Sequence, residues 1–216
     1  MRPPYRDLAD RLAPLGLIPR GGFRALPQDG LGPVEVVVMV GNAGPGVWPA
    51  FSAGRRDEPD PLDAWVRRSL RPVARDLGAR VVMPNDGPPY RPFQRWAMRA
   101  EPVHPSPLGL LIHPEYGLWH AYRAALLFAE EIDLPDRGDT ASPCEACADR
   151  PCLSACPVKA FDGTRYDVAA CRTHAGGPDG AACREGGCLA RHACPVGRDL
   201  AYGPEQQEFH MAAFLP

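Results

Sequence analysis

The stretch Cys144-x2-Cys147-x4-Cys152-x3-Cys156-Pro157 decides how the C-terminal part of this chain folds. Thiolates are soft, electron-rich ligands that suit iron, and closely spaced cysteines can carry several sulfur atoms to different corners of one cubane cluster. The spacing resembles the bacterial ferredoxin run, with two extra residues before the third cysteine. It therefore predicts a [4Fe-4S] site.

A second group, Cys183-x4-Cys188-x5-Cys194-Pro195, follows the first, and Cys171 lies between them. In two-cluster ferredoxins the cysteine of the Cys-Pro step binds the other cluster, because proline turns the chain away once three ligands are used. The rule divides the eight cysteines into two tetrads without remainder. We predict a first tetrad of Cys144, Cys147, Cys152 and Cys194, and a second tetrad of Cys156, Cys171, Cys183 and Cys188.

Other uses of the cysteines stay open at this point. Zinc also takes four thiolates, although the chain has only one Cys-x2-Cys pair. Disulfides need an oxidising compartment. Bound metal can also act as a structural staple, because it supplies folding energy where the residues after Asp133 show little apolar periodicity. Nearby positive charge tunes a cluster, and the candidates in sequence are Arg150, Lys159, Arg184 and Arg191.

The overall composition excludes some classes of protein. The chain has 216 residues, 45% of them hydrophobic, and a formal net charge of -2. That balance argues against a nucleic-acid surface, which needs clustered positive charge. The start from Met1 to Gly22 has no uninterrupted apolar segment, and no stretch reaches about 18 apolar residues. We therefore expect a cytoplasmic protein with no membrane and no nucleic-acid partner.

The first 135 residues predict an α+β domain, and residues 136–216 the cysteine module. Helices are expected over Arg6–Leu15, from Asp60 to Gly78 and over Tyr90–Ala100, with Asp60 as N-cap of the second helix. Strands are expected over Val34–Val40, Ala79–Met83, Leu108–Ile112 and Trp119–Phe128, the last two as a hairpin around residues 113–117. Gly41–Gly46 is not a G-x-G-x-x-G motif and is predicted to be a plain loop.

The cysteine part, with Cys-Leu-Ser-Ala-Cys-Pro-Val-Lys-Ala-Phe at 152–161, resembles the dicluster module of epoxyqueuosine reductases and reductive dehalogenases. The clusters of those families feed electrons to a cobalamin, and the resemblance implies the same role for the clusters of this chain. Epoxyqueuosine reductases carry an acid before an Ala-Pro-Val-Leu-Glu-like segment, where this chain has Glu101-Pro102-Val103-His104-Pro105. Their proton-donating aspartate and C-terminal repeat domain are both missing here, so the modification of tRNA is not expected.

A second resemblance rests on Leu108–Arg123, which is similar to the His-Pro-x-x-Gly-x-Trp-x-x-x-Arg segment of the cobalamin-processing CblC family. It implies a flavin-nitroreductase-like mixed sheet with flanking helices, followed by the ferredoxin-like module. It also implies that Gly109, His113, Gly117, Trp119 and Arg123 lie near a cobalamin or, less favoured, an FMN pocket. Tyr90 follows a turn and is a candidate for stacking on the planar ring.

Together with these resemblances, the sequence predicts an oxidoreductase with two [4Fe-4S] clusters that delivers electrons to a corrinoid and reduces its cobalt, with or without removal of an upper ligand. The partner would then be a small-molecule corrinoid or a redox protein. The alternative is a ferredoxin-type carrier that serves a partner enzyme and performs no chemistry of its own.

Overall fold

The computed structural model describes residues 5–215, which divide into two compact units. The sheet unit comprises the described residues up to Pro102 together with Ala121–Asp139. The cysteine unit comprises Val103–His120 and the described residues from Thr140 onward. Residues 103–120, which precede the last long strand, therefore group with the cysteines, whereas residues 136–139 of the predicted cysteine module group with the sheet.

The sheet unit is built on four strands in the order β1-β2-β6-β3. The strands of the whole chain are β1 (Ile18–Arg24), β2 (Val36–Ala43), β3 (Ala79–Val82), β4 (His104–Pro105), β5 (Leu111–Ile112) and β6 (His120–Phe128). The pairs β1/β2 and β3/β6 are antiparallel. β2 is buried along nearly its whole length and lies between two neighbours, as its β-branched sequence predicts.

Helices flank this sheet and bury one apolar face each. They are α1 (Tyr5–Leu12), α2 (Val47–Gly54), α3 (Pro61–Asp76) and α4 (Phe93–Ala100). On α3 the buried residues Leu62, Trp65, Val66, Leu70 and Ala74 recur at helical spacing. On α4, Trp96 packs against Phe93 and against Phe23 of β1, with ring centroids 5.4 and 6.1 Å apart. Large apolar side chains therefore form this core.

The cysteine unit consists of the short β4/β5 pair and small helices. These are α5 (Pro151–Ser154), α6 (Val168–Gly176), α7 (Ala181–Gly186), α8 (Leu189–His192) and α9 (Pro204–Phe214). Its buried cluster combines equal numbers of large apolar side chains and of alanines and cysteines: Leu108, Ile112, Leu118, Cys156, Ala160, Phe161, Ala190 and Cys194.

Three predictions of local structure are wrong. The hairpin around residues 113–117 does not form, because β5 pairs with β4 whereas β6 pairs with β3; only an isolated bridge joins His113 to Gly117. Asp60 precedes α3 in a left-handed conformation and makes no side-chain cap. Gly41–Gly46 is not a plain loop, since β2 continues to Ala43 and a 3-10 turn follows.

Gly41 shows why that segment is glycine-rich. A Cβ on Gly41 would lie 1.9 Å from the carbonyl oxygen of Ala121, so only glycine lets the backbones of β2 and β6 approach there. Of the expected helices, Arg6–Leu15 is confirmed as α1 followed by a 3-10 turn, and the expected Tyr90–Ala100 helix begins only at Phe93.

Candidate metal centre

The first group of cysteines lies around a small cavity in the cysteine unit. Cys144 and Cys147 come from the turns before α5, Cys152 from α5, and Cys194 follows α8. Prolines and small apolar residues make most of the rest of the wall. The fourth cysteine of the first run, Cys156, does not line this cavity.

The second cavity is larger, about 470 Å³, and the other four cysteines line it. Cys156 leaves α5 at the Cys-Pro step, Cys171 lies in α6, Cys183 in α7, and Cys188 precedes α8. The structure thus brings together the same two sets of four that the Cys-Pro rule yields. Among residues 5–215, no group of three or more His, Cys, Asp or Glu side chains meets closely enough for a single metal ion.

Backbone N–H groups point at several of these sulfur atoms. The amide of Ala160 donates to Sγ of Cys156 at 3.3 Å. Cys188 accepts from the amides of Ala190 and Arg191, and Cys194 from the amide of Val196. Such donors favour a negatively charged sulfur and tune a bound cluster.

Burial and crowding have the opposite effect on the metal-free thiols. Burial raises the pKa of Cys188, and the thiols of Cys171 and Cys156 raise it further. Burial likewise raises the pKa of Cys144, with contributions from Cys194 and Cys152. Four sulfurs that repel one another in a desolvated site are stabilised as thiolates when iron balances their charge. The donor set therefore fits [4Fe-4S] clusters, each with four cysteine ligands.

Two of the four cationic residues expected near the clusters line the cavities. Arg191 lines the second cavity and donates through Nε and Nη2 to the carbonyl of Leu118, at 3.1 and 2.6 Å. Its guanidinium also lies over the rings of Trp119 and Tyr202, 4.3 and 4.6 Å from their centroids. Arg150 lines the first cavity. Arg184 donates to two backbone carbonyls, and Lys159 is exposed.

Sequence reasoning missed two residues beside the sulfurs. Arg198 interacts favourably with the Cys194 thiolate, lowering its pKa against the stronger effect of burial. Tyr166 lines the second cavity and stacks on Phe161, with ring centroids 4.5 Å apart. Burial raises the pKa of the Tyr166 hydroxyl, and a hydrogen bond with Cys171 raises it further. A single tyrosine after the turn at residues 162–165 carries no distinctive sequence signal for such a contact.

The residues expected near a corrinoid or flavin lie in both units. In the cysteine unit, Gly109 lines the second cavity, and Nδ1 of His113 accepts from the amides of Glu115 and Tyr116. Gly117 adopts φ +57° against the backbone of Val196, where a Cβ would lie 2.0 Å from the carbonyl oxygen. Trp119 is buried against Arg191, His192 and Tyr202.

The other two expected pocket residues belong to the sheet unit. Arg123 donates from Nε to Oδ1 of the buried Asn42 at 3.1 Å. Tyr90 is 67% exposed. In the same unit, the carboxylate of Glu101 accepts hydrogen bonds from the buried Arg20 guanidinium and from the Tyr122 hydroxyl. Glu101 is thus engaged in an internal ion pair with Arg20.

One solved structure, the epoxyqueuosine reductase of Streptococcus thermophilus, matches with a TM-score of 0.57 and 17% identity over 92% of this chain. The chain has the epoxyqueuosine reductase fold. A Bacillus subtilis epoxyqueuosine reductase, solved with its catalytic loop swung out of the active site, matches with a TM-score of 0.51 and 18% identity over 85% of this chain.

The chain spans 66% of the Streptococcus thermophilus chain and 55% of the Bacillus subtilis one. No family model and no curated protein matches the sequence. The predicted α+β class with a cysteine-rich region agrees with this fold, and the flavin-nitroreductase-like and CblC-like details stay predictions.

The exclusion of a nucleic-acid partner is wrong. A further structure with this fold, at a TM-score of 0.51 and 19% identity over 85% of this chain and 55% of its own, is an epoxyqueuosine reductase with an epoxyqueuosine-modified tRNA-Tyr stem loop. The exclusion rested on the net charge of the whole chain, which says little about a local surface. In the described part of the chain, no helix is long and apolar enough to cross a membrane.

Proposed function

We propose that this protein is an iron–sulfur oxidoreductase that holds two [4Fe-4S] clusters and passes single electrons to a bound corrinoid. The observation that carries the proposal is the grouping of eight cysteines around two separate cavities in a chain with the epoxyqueuosine reductase fold. Thiolate-bound clusters store and release one electron at a time, and this is the chemistry that they would supply to the protein.

The protein's own groups would hold and tune these clusters. The first tetrad, Cys144, Cys147, Cys152 and Cys194, would bind one cluster, and the second tetrad, Cys156, Cys171, Cys183 and Cys188, the other. Amide donors such as that of Ala160 and the charge of Arg191 would stabilise the reduced, more negative state and raise the reduction potential. The apolar walls would limit the access of water.

The corrinoid is the finer part of the proposal. It is supported by the resemblance of the cysteine module to families whose clusters feed electrons to a cobalamin, and by the epoxyqueuosine reductase fold. In each step one cluster would lose one electron and the cobalt would gain it. A low-potential one-electron donor would then reduce the cluster again. FMN is the less favoured acceptor.

Metal content and spectra test the cluster assignment. Protein purified without oxygen should be brown and contain about eight irons per chain, and reduction by dithionite should give an electron paramagnetic resonance (EPR) signal from both clusters. Cys194→Ala should remove the first cluster only and Cys188→Ala the second only. Colourless protein with zinc on the cysteines would refute the proposal, and a reversed pattern in the two variants would refute the tetrads.

The acceptor is tested on the loaded protein. Hydroxocobalamin, FMN and an epoxyqueuosine-modified stem loop are added in parallel under dithionite-free conditions, with the clusters reduced beforehand. Cobalamin is expected to bind and to show reduced-cobalt absorption bands as the cluster bands return to the oxidised form. Loss of the epoxide from the stem loop only in the presence of cobalamin would extend the proposal to tRNA. Flavin reduction alone would replace the corrinoid by FMN.

A carrier without chemistry of its own is the second candidate. It is favoured by one observation, namely that exposed apolar side chains surround the opening of the second cavity. A loaded protein that binds none of the three small molecules, yet exchanges electrons rapidly with other redox proteins, would be such a carrier.

A further inference from the structure

Tyr166 lies beside the cysteines of the second tetrad. Its side chain lines the second cavity together with Cys171 and makes a hydrogen bond with that residue. The same hydroxyl is close enough to Cys156 and Cys188 to interact electrostatically with their sulfur atoms. One tyrosine side chain therefore reaches most of the sulfur atoms that would hold the second cluster.

A short backbone loop fixes the position of Tyr166. An isolated β-bridge joins it to Phe161, and across the ends of the loop the amide of Asp167 donates to the carbonyl oxygen of Ala160 at 2.8 Å. The amide of Ala160 in turn donates to Sγ of Cys156 at 3.3 Å. Each end of this loop thus supplies one hydrogen-bond donor to the second tetrad, an amide at one end and a phenol at the other.

Tyr166 also precedes the helix that carries its sulfur partner. Helix α6 begins at Val168, and the amide of Cys171 donates to the carbonyl oxygen of Asp167 at 3.1 Å. The Asp167 carboxylate caps the helix by accepting from the amide of Ala170 at 2.9 Å. The backbone between the phenol and the sulfur is therefore held by hydrogen bonds of its own.

Two phenylalanine rings restrain the ring of Tyr166. Phe161 and Phe214 both stack on it, with centroids 4.5 and 6.5 Å away and interplanar angles of 13° and 20°. Phe214 is itself held by Arg172, whose Nε donates to the Phe214 carbonyl oxygen at 3.0 Å and whose guanidinium lies 4.9 Å from the ring centroid. A ring that is already restrained loses little conformational entropy when its hydroxyl makes a hydrogen bond.

The chemistry of the two groups fixes the direction of this hydrogen bond. A tyrosine hydroxyl keeps its proton near neutral pH, whereas a thiolate bound to iron can only accept, so the hydroxyl is the donor. A donor beside a ligand sulfur stabilises the reduced cluster, which is the more negative form, more than the oxidised cluster. Within residues 5–215, no tyrosine lines the first cavity.

We propose that Tyr166 is a positioning residue that raises the reduction potential of the second cluster by donating a hydrogen bond to Sγ of Cys171. The inference rests on the proposed function, in which the second tetrad holds a cluster. When the second cluster gains one electron from a low-potential donor, the proton stays on the tyrosine oxygen and no bond of the tyrosine forms or breaks. The hydroxyl therefore acts on the cluster only through the cysteine sulfur.

A potentiometric titration followed by EPR measures this effect on the loaded protein. Tyr166→Phe removes the hydroxyl and keeps the stacked ring. At a fixed potential the ratio of reduced to oxidised second cluster should fall about 10-fold, which is a shift of about 59 mV for one electron. The first cluster should titrate as in the wild type. Cys194→Ala and Cys188→Ala assign the two EPR signals.

A control variant removes another hydroxyl from the same loop. The hydroxyl of Thr164 donates to the Asp162 carboxylate at 2.8 Å, not to a sulfur. Thr164→Val keeps the shape of that side chain and should leave both reduction potentials unchanged. It therefore separates the loss of a donor to sulfur from a general loosening of the loop.

A second measurement changes the potential in the opposite direction and needs no altered residue. Wild-type protein grown with 3-fluorotyrosine keeps every ring, and fluorine makes each tyrosine hydroxyl more acidic and thus a stronger donor. The potential of the second cluster should rise, whereas that of the first should not. The same analogue in Tyr166→Phe protein should leave the second cluster unaffected, which separates Tyr166 from the other tyrosines. If Tyr166→Phe loads poorly, the labelled wild type alone carries the test.

Three results would overturn the inference and leave the proposed function standing. One is an unchanged potential of the second cluster in Tyr166→Phe protein with full iron content, which would make Tyr166 a packing residue. The others are equal shifts of both clusters and an equal shift in Thr164→Val, because a hydrogen bond to Cys171 acts on one cluster. Protein without iron would instead remove the proposed function itself.

Discussion

The sheet unit and the cysteine unit differ in the side chains that form their buried cores. In the sheet unit, buried Phe, Trp, Val, Met and Leu side chains pack between a four-stranded sheet and its helices. In the cysteine unit, alanines and cysteines make half of the buried cluster, and Leu108, Ile112, Leu118 and Phe161 make the other half. We therefore expect the two units to draw their stability from different sources, the hydrophobic effect in the sheet unit and, with the proposed clusters bound, metal ligation in the cysteine unit.

The largest effect should come from removing the metal. Chelation of iron without oxygen should leave eight thiols close together, and burial and neighbouring thiols raise the pKa values of five of them, Cys144, Cys152, Cys183, Cys188 and Cys194. Hydrogen exchange should then show amides of α5 to α8 losing nearly all protection, while those of β2 keep theirs. Restoring iron and sulfide should restore the protection.

If the chelated protein kept its protection in the cysteine unit, the expected difference in the source of stability would be wrong. That outcome would mean that the small helices pack well enough without clusters, and the cysteines would then be ligands placed on a preformed scaffold rather than the source of its order.

The converse experiment removes apolar volume from the sheet unit. Trp96 is fully buried between Phe93 and Phe23, so Trp96→Ala should lower the free energy of unfolding of that unit by about 3–5 kcal/mol. Tyr90→Ala, at an exposed aromatic residue of the same unit, should change it by less than about 0.5 kcal/mol. Urea unfolding followed by circular dichroism measures both.

Iron content sharpens this second experiment. If the units are stabilised separately, Trp96→Ala protein should still load about eight irons per chain under conditions where the sheet unit remains folded. A proportional loss of iron with sheet stability would show instead that the cysteine unit depends on the sheet unit to form its sites.

The same contrast explains what sequence could predict. The grouping of the cysteines follows from a local rule, because the proline after Cys156 turns the chain away from the first three ligands. β2 and α3 could likewise be predicted from the sequence, since a β-branched run and a helical apolar spacing are local signals. The structure of these elements is determined by residues that are close to one another in sequence.

The failures have the opposite character. β4 is two residues long and contains Pro105, and β1 contains Pro19, Gly21 and Gly22, so neither shows a strand pattern. Without β4, sequence reasoning paired β5 with β6 across the 113–117 turn. The volume and opening of the second cavity depend on side chains far apart in sequence, such as Leu110 and Phe214. No periodic pattern in the sequence predicts that two such residues will line the same cavity.

Two glycines expected near a corrinoid provide the smallest but most specific test. Gly117 and Gly109 both adopt positive φ, +57° and +72°, and any side chain there costs about 1–2 kcal/mol. A Cβ on Gly117 would also lie 2.0 Å from the carbonyl oxygen of Val196, whereas one on Gly109 would meet nothing within 4 Å. Gly117→Ala should therefore destabilise the cysteine unit clearly more than Gly109→Ala.

Stability and binding together separate two roles for these glycines. If Gly117 serves packing against the segment after Cys194, Gly117→Ala should weaken the retention of the first cluster during mild chelation, with the second cluster lost later. Gly109→Ala should retain both clusters nearly as the wild type does, because its methyl group enters open space. Equal cluster retention in both variants, with cobalamin binding lost only in Gly117→Ala, would instead assign Gly117 to the corrinoid, as the resemblance to the CblC family implies.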